Sequence, residues 1–272
     1  MSTGLPVRAV EKPWGVDRLP APFVSRAGSR IGEIWFEPPA QLPDLLVKYI
    51  FTSEALSVQV HPSDAQTLAA GLGRQGKEEC WLIVDAQPGA VLGIGFREVF
   101  SVEQLREAAL DGSIEALLEW HPVQAGDFFY IPANTVHAIG AGVSLIEVQQ
   151  NSDITYRLYD YGRPRELHLD EGLAVAMGAA YPARLHQKVP DQGNATLVEG
   201  PLFRLDQITG PAGDAVMARY GQRPLLVIPR HGTARIGGDT IVPGGCGIAP
   251  ALDTVTLDAG TTCLLAQPLA GG

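Results

Sequence analysis

Long apolar runs are missing from this chain. No stretch approaches the ~20 residues that span a bilayer, and the opening MSTGLPVRAVEKPWG has no apolar segment behind its charges. Neither a membrane partner nor a secretory leader is expected, and the expected location is the cytoplasm. Cysteine is scarce: Cys80, Cys246 and Cys263 are odd in number and none stands in CxxC spacing. That excludes a disulfide framework and a cysteine-rich zinc site and leaves buried thiols as the expectation. Basic charge is also short, with 20 Lys and Arg against 30 Asp and Glu for a formal net charge of −10. No basic run with interleaved aromatics occurs, so nucleic acid is not an expected partner. A weak, screened net charge still leaves room for an anionic small molecule wherever Arg and Lys cluster in a pocket.

What the chain has in quantity is β-strand signal. Hydrophobic residues make up 46% and charged residues 18%, an ordinary globular balance. Its 31 glycines and 21 prolines are scattered, punctuating short runs such as LLVKYIF, LSVQV, CWLIV, FFYIP and VSLIEVQ, a mainly β pattern. Helical periodicity is confined to three places: after Ser63, from Ser101 to Trp120, and after Asp170. The first two open on Ser-x-x-Gln capping boxes, Ser63 with Gln66 and Ser101 with Gln104. A polar, turn-rich stretch over residues 178–200 joins two halves of different composition, and a boundary is placed there. Beyond residue 200 short strands continue but the only histidine is His231. That half offers no second metal site and reads as a degenerate second barrel.

Three segments of the first half carry ligand-type residues. In Ser57-Val58-Gln59-Val60-His61-Pro62, strand alternation points Gln59 and His61 one way and the valines the other, and Pro62 ends the ladder. In Gly76-Lys77-Glu78-Glu79-Cys80-Trp81, alternation separates Glu78 from Glu79, and either carboxylate fits. From Gly126 to His137 the chain resembles a cupin signature: Gly, five residues, Pro-x-Gly, two residues, His. Asn134 stands where the second glycine is usual, and it is the non-glycine residue that best tolerates positive φ. Two imidazoles, a carboxylate and an amide oxygen suit Zn²⁺ best, with Mn²⁺, Fe²⁺ or Co²⁺ as possible occupants. A polar segment, Glu147 to Tyr161, follows an apolar strand and supplies Glu147 for proton transfer and Arg157 for an anionic group.

In order along the chain, KPWG, GEIW, LLVK, QVHP, GKEECW, PANTVHAIGAG and QQNSDITYRLYDYGR resemble the class I mannose-6-phosphate isomerases (phosphomannose isomerases) in their short bacterial form. The match covers about two thirds of the chain. The resemblance implies jelly-roll, cupin-type β-barrels with a few short helices, two barrels in one chain. Residues 1–180 would form the metal-binding catalytic barrel, with a helical insertion near 101–120, and residues 185–272 the second, ligand-free one. It also implies one zinc ion on Gln59, His61, Glu79 and His137, choosing Glu79 over Glu78, with Arg157 and Glu147 catalytic. Lys48 and Lys77 are placed beside the substrate. Longer relatives carry a substrate-site lysine shortly after the His-Pro pair, whereas Ser63-Asp64 follows Pro62 here.

The implied activity interconverts mannose 6-phosphate and fructose 6-phosphate, an aldose-ketose isomerisation, in a monomer or homodimer. Two rival enzyme-free or enzyme readings accompany it. One is a sugar-phosphate sensor or inactive paralogue; the other is a non-haem iron cupin oxygenase, against which Gln59 and the Arg157 segment weigh.

Overall fold

A computed structural model describes residues 2–25 and 27–269. The expectation of a mainly β chain holds: among the described residues twenty strands form four sheets. The largest has seven strands in the spatial order Val7–Val16, Ile31–Phe36, Leu45–Phe51, Val143–Gln150, Glu79–Ala86, Asp127–Ile131 and His186–Lys188. A five-stranded sheet runs Tyr156–Tyr159, Val58–Val60, His137–Ile139, Val91–Phe96 and Leu118–Pro122. All pairings between strands of these sheets are antiparallel.

Side-chain alternation assigns each strand residue to a layer. In Glu79–Ala86, Trp81 and Ile83 join a core that also contains Leu92, Ile94 and Ile139 of the five-stranded sheet. Cys80 and Leu82 point the other way, into a second core shared with Phe203, Leu205, Leu226, Ile228 and Leu264 from the chain's last third. The seven-stranded sheet is therefore covered on both faces, which is why LLVKYIF and ECWLIV read as continuous apolar runs rather than alternating ones. The back of the five-stranded sheet packs Val58, Val60, Ala138 and Leu158 against the helical residues Leu105, Ala109 and Leu173.

Both capping boxes are present, and Gly112 at φ 83° ends the helix Val102–Asp111. The expected helix from Ser101 to Trp120 is thus broken. A second turn, Ile114–Leu117, follows, and then Leu118–Pro122 pairs with Val91–Phe96, placing Trp120 on a strand. A glycine in the left-handed region is a helix stop, and the tertiary ladder takes the residues after it. The helix expected after Asp170 starts slightly earlier, at Leu169, and Asp214–Tyr220 is a helix that periodicity did not reveal.

From Ala195 onward the strands form sheets of five and three, with their own core around Leu225, Val227, Ile236 and Leu265. All three cysteines are buried and free. Among the described residues no helix is long and apolar enough to cross a membrane. Phe128 is fully buried in the core between the seven-stranded sheet and the chain's last third, and Phe128→Ala is expected to cost about 3–5 kcal/mol. Urea denaturation measures this; a loss under 1 kcal/mol would mean that the two layers do not depend on each other's packing.

Candidate functional site

Alternation that sends Val58 and Val60 to the helical side turns Gln59 and His61 inward, toward the seven-stranded sheet. The same parity turns inward His137 (opposite to Ala138), Arg157 (opposite to Leu158), Lys48 (with Ile50), Glu79 (with Trp81) and Glu147 (with Leu145). Six of the expected residues, Lys48, Gln59, Lys77, Glu79, Glu147 and Arg157, line a single cavity of about 420 Å³. His61 and His137 lie buried beside it. Strand pairing supplies the spacing: Gln59 is opposite His137 on one side and Arg157 on the other, while Glu147 faces Lys48 and Trp81.

Three ligand-type residues converge. The candidate ligand atoms of His61, Glu79 and His137 all lie within 4.8 Å of one another. His61 Nε2 is 3.7 Å from Glu79 Oε2, and His137 Nε2 is 3.3 Å from Glu79 Oε1. Each imidazole is held from behind: His61 Nδ1 lies 2.8 Å from the Ile154 carbonyl and His137 Nδ1 2.9 Å from the Thr135 carbonyl. A carbonyl only accepts, so each Nδ1 carries the proton and each Nε2 is an acceptor beside Glu79, that of His61 lying 3.1 Å from Lys77 Nζ. Burial lowers both imidazole pKa values, His137 to about 4 and His61 well below its usual value, so both rings are neutral at physiological pH. The amide nitrogen of Gln59 lies 3.3 Å from His137 Nε2.

Glu79, not Glu78, meets the histidines. Glu78 instead accepts from the Tyr130 hydroxyl on the opposite face. Glu79 is fully buried and neither of its oxygens accepts a well-directed hydrogen bond, although Lys77 Nζ approaches Oε2 at 2.8 Å as an ion pair. Burial pushes Glu79 up to about 7 despite the pull of Lys77. An under-satisfied buried carboxylate between two imidazole lone pairs is an arrangement that a cation completes.

A second carboxylate behaves oppositely. Burial would raise Glu147, but Lys48 and Lys77, with hydrogen bonds from Lys48 and Trp81, bring it down to about 2. Lys48 Nζ is 2.8 Å and Trp81 Nε1 3.1 Å from its oxygens. Lys48 also donates to Gln149 and sits over the Trp35 ring at 4.7 Å. Sequence reasoning missed Trp81, Ser57, Trp35, Arg165 and His168 as parts of this environment. Trp81 was legible through its parity with Glu79, but Arg165 and His168 follow a strand in a loop where no periodicity applies.

Two turns aim these groups. Asn134 does adopt positive φ, 71°, and its amide donates to Gln66 Oε1 at 2.7 Å while its backbone N–H bonds the His61 carbonyl at 2.8 Å. Gly76 packs its α-carbon against the His-Pro turn; a methyl there would overlap the Pro62 carbonyl oxygen and lie 2.6 Å from the Asp64 nitrogen. Gly76→Ala is therefore expected to push Lys77 and Glu79 away from His61 and weaken binding of a divalent metal by about tenfold or more. Metal titration and circular dichroism check this together; unaltered metal affinity would show that the turn can shift without moving Glu79.

Comparisons with known proteins point in one direction. No family model matches the chain. Over 210 residues it is 38% identical to mannose-6-phosphate isomerase ManA of Bacillus subtilis, a match covering 73% of this chain and 65% of that relative. The chain thus spans a little under two thirds of the length of the curated relatives it matches first. Its fold is similar to the crystal structure of a mannose 6-phosphate isomerase from Bacillus subtilis, with TM-score 0.76 at 23% identity over 97% of this chain and 98% of that one. It is also similar to a mannose 6-phosphate isomerase solved with zinc bound, with TM-score 0.71 at 15% identity over 97% and 98% of the two chains.

Proposed function

We propose, on the premise that the chain is a relative of the mannose-6-phosphate isomerases, that it is a metal-dependent isomerase interconverting mannose 6-phosphate and fructose 6-phosphate. The observation that carries this is the convergence of two backbone-braced imidazoles and the buried Glu79 carboxylate, whose ligand-type atoms all lie within 4.8 Å of one another. Gln59, His61, Glu79 and His137 would hold Zn²⁺, a donor set without cysteine that is unlike closed structural zinc sites. A half-turn of the Gln59 amide exchanges its NH₂ and oxygen with little change of shape and presents Oε1 to the site. The ion supplies Lewis acidity toward a substrate oxygen.

The chain's own residues do the rest. The reaction removes a weakly acidic C–H proton from C2 and returns one to C1, and negative charge grows on oxygen between the two steps. Lys77, whose pKa the carboxylates Glu79 and Glu147 raise against the effect of burial, remains an ammonium beside that charge. Glu147 is the proton carrier. A carboxylate held at about 2 is a weak base, so its basicity must rise when substrate binds. A substrate oxygen that takes a hydrogen bond from Lys48 loosens the hold of Lys48 on Glu147 and supplies that rise. Arg157 stabilises charge on the opposite wall.

Residues 1–180 form the catalytic barrel in this reading, and 185–272 a degenerate barrel packed behind the seven-stranded sheet. The oxygenase alternative is not favoured, because Lys48, Lys77, Arg157 and Arg165 line the same cavity as the ligand residues and suit an anionic substrate. A coupled assay converting mannose 6-phosphate to fructose 6-phosphate, run with zinc and then with chelator, is expected to show turnover that the chelator abolishes. Absence of turnover in folded, zinc-loaded protein would leave a sugar-phosphate sensor as the reading.

A further inference from the structure

The loop after the strand Tyr156–Tyr159 carries a charge arrangement that the mechanism above does not use. Asp160 is 2% exposed and grips Arg165 at two points, Nε to Oδ2 and Nη2 to Oδ1, both 2.6 Å. It also accepts from Arg163 Nη1 at 3.1 Å. Arg163 then turns away, with Nη2 donating to Glu54 and to the Ala55 carbonyl. Arg165 instead lines the cavity, together with Arg157 and His168. Asp160 therefore fixes two guanidiniums, and Arg163 finds a second carboxylate in Glu54.

The rest of the cavity is balanced. Lys12 lies 3.2 Å from Glu33, Lys48 2.8 Å from Glu147 and Lys77 2.8 Å from Glu79, and all six residues line the same space. Arg157 has no such match: among the described residues its side chain makes one hydrogen bond, 3.4 Å to the Glu166 carbonyl, and pairs with no carboxylate. The remaining acid of the wall, Asp153, is exposed. Surplus positive charge is thus concentrated at the Arg157–Arg165 end. Burial first, and Arg165 second, disfavour the charged form of Arg157, as two nearby cations awaiting an anion would.

We propose that Arg165, positioned by Asp160, is the anchor for the anionic end of the substrate, a phosphate monoester, and sets the preference for phosphorylated over free sugars. This deepens the isomerase reading and rests on it. Asp160 occupies the Nε–Nη2 edge of the guanidinium, which leaves the Nη1–Nη2 edge as a fixed fork suited to phosphate oxygens. Preorganisation by a buried carboxylate spares the ordering cost that a free arginine would meet on binding. Asp160 is a positioning residue and Arg165 the contact.

Calorimetric binding of inorganic phosphate to the zinc-loaded protein is the first test, because it needs no turnover. Arg165→Ala is expected to weaken phosphate binding, and to raise KM for mannose 6-phosphate, about ten- to hundredfold, with kcat within about threefold. Asp160→Asn should raise KM by a smaller factor, and Arg165→Lys should recover part of the loss. A variant that binds phosphate like the unaltered protein overturns the proposal, as does one whose kcat falls with KM unchanged. Should Arg165→Ala fold poorly, Arg165→Met, which keeps the stem against the wall, decides by the same readings. Phosphate binding that depends on Arg165 in a protein without isomerase activity would sink the enzymatic reading and spare the anchor.

Discussion

Replacing His137 by alanine is expected to abolish both metal retention and turnover, with kcat/KM falling by about a thousandfold or more. The imidazole is 1% exposed, its Nδ1–H is tied to the Thr135 carbonyl, and its ring edge meets Trp81 with centroids 5.3 Å apart. Alanine would leave Glu79 facing a void with one imidazole and the weakly donating Gln59 amide, a set that holds the ion far less tightly. The volume lost costs stability as well, so His137→Asn, which fills more of the space, separates the two effects. Elemental analysis of the purified variants, read beside the coupled assay, decides the matter. A demonstrably metal-free variant with full activity would rule out the proposed mechanism, whatever its stability.

The legible part of this molecule is what strand parity and turn chemistry dictate. Gln59 and His61 could be placed on one face from the valines between them, and the glycine-like role of Asn134 from its tolerance of positive φ, which it adopts at 71°. Parity could separate Glu78 from Glu79 but could not say which face looked inward, because the strand is buried on both sides. In the sequence only the family resemblance made that choice, and its physical reason lies in the other sheets: Cys80 and Leu82 meet the chain's last third, so Trp81 and with it Glu79 meet the five-stranded sheet. The helix drawn to Trp120 failed at Gly112, where a stop signal stood in the sequence and the apolar run beyond it was read as helix rather than as the edge strand Leu118–Pro122. Arg165 and His168 were illegible for a different reason. A loop has no period, and only the buried grip of Asp160 shows where the guanidinium is aimed.

Arg157→Ala is expected to keep its zinc and lose rate, with kcat about a hundredfold or more lower. The residue's placement explains why the two properties should separate. Its backbone is pinned by the ladder opposite Gln59 and by His168, whose N–H bonds the Arg157 carbonyl at 2.8 Å and whose Nδ1 lies 3.3 Å from the Arg157 nitrogen. None of these contacts uses the guanidinium. The side chain is half-buried and bonds only a carbonyl, so its removal should cost less than about 1 kcal/mol of stability. What disappears is a cation on the wall opposite Glu147, where charge develops as the C–H proton leaves. Arg157→Lys restores charge without the planar fork and should recover only part of the rate. The comparison with Arg165 sharpens the assignment: loss of Arg157 should appear in kcat and loss of Arg165 in KM. If Arg157→Ala instead sheds its metal or unfolds, the guanidinium belongs to the scaffold and its place in the reaction is withdrawn.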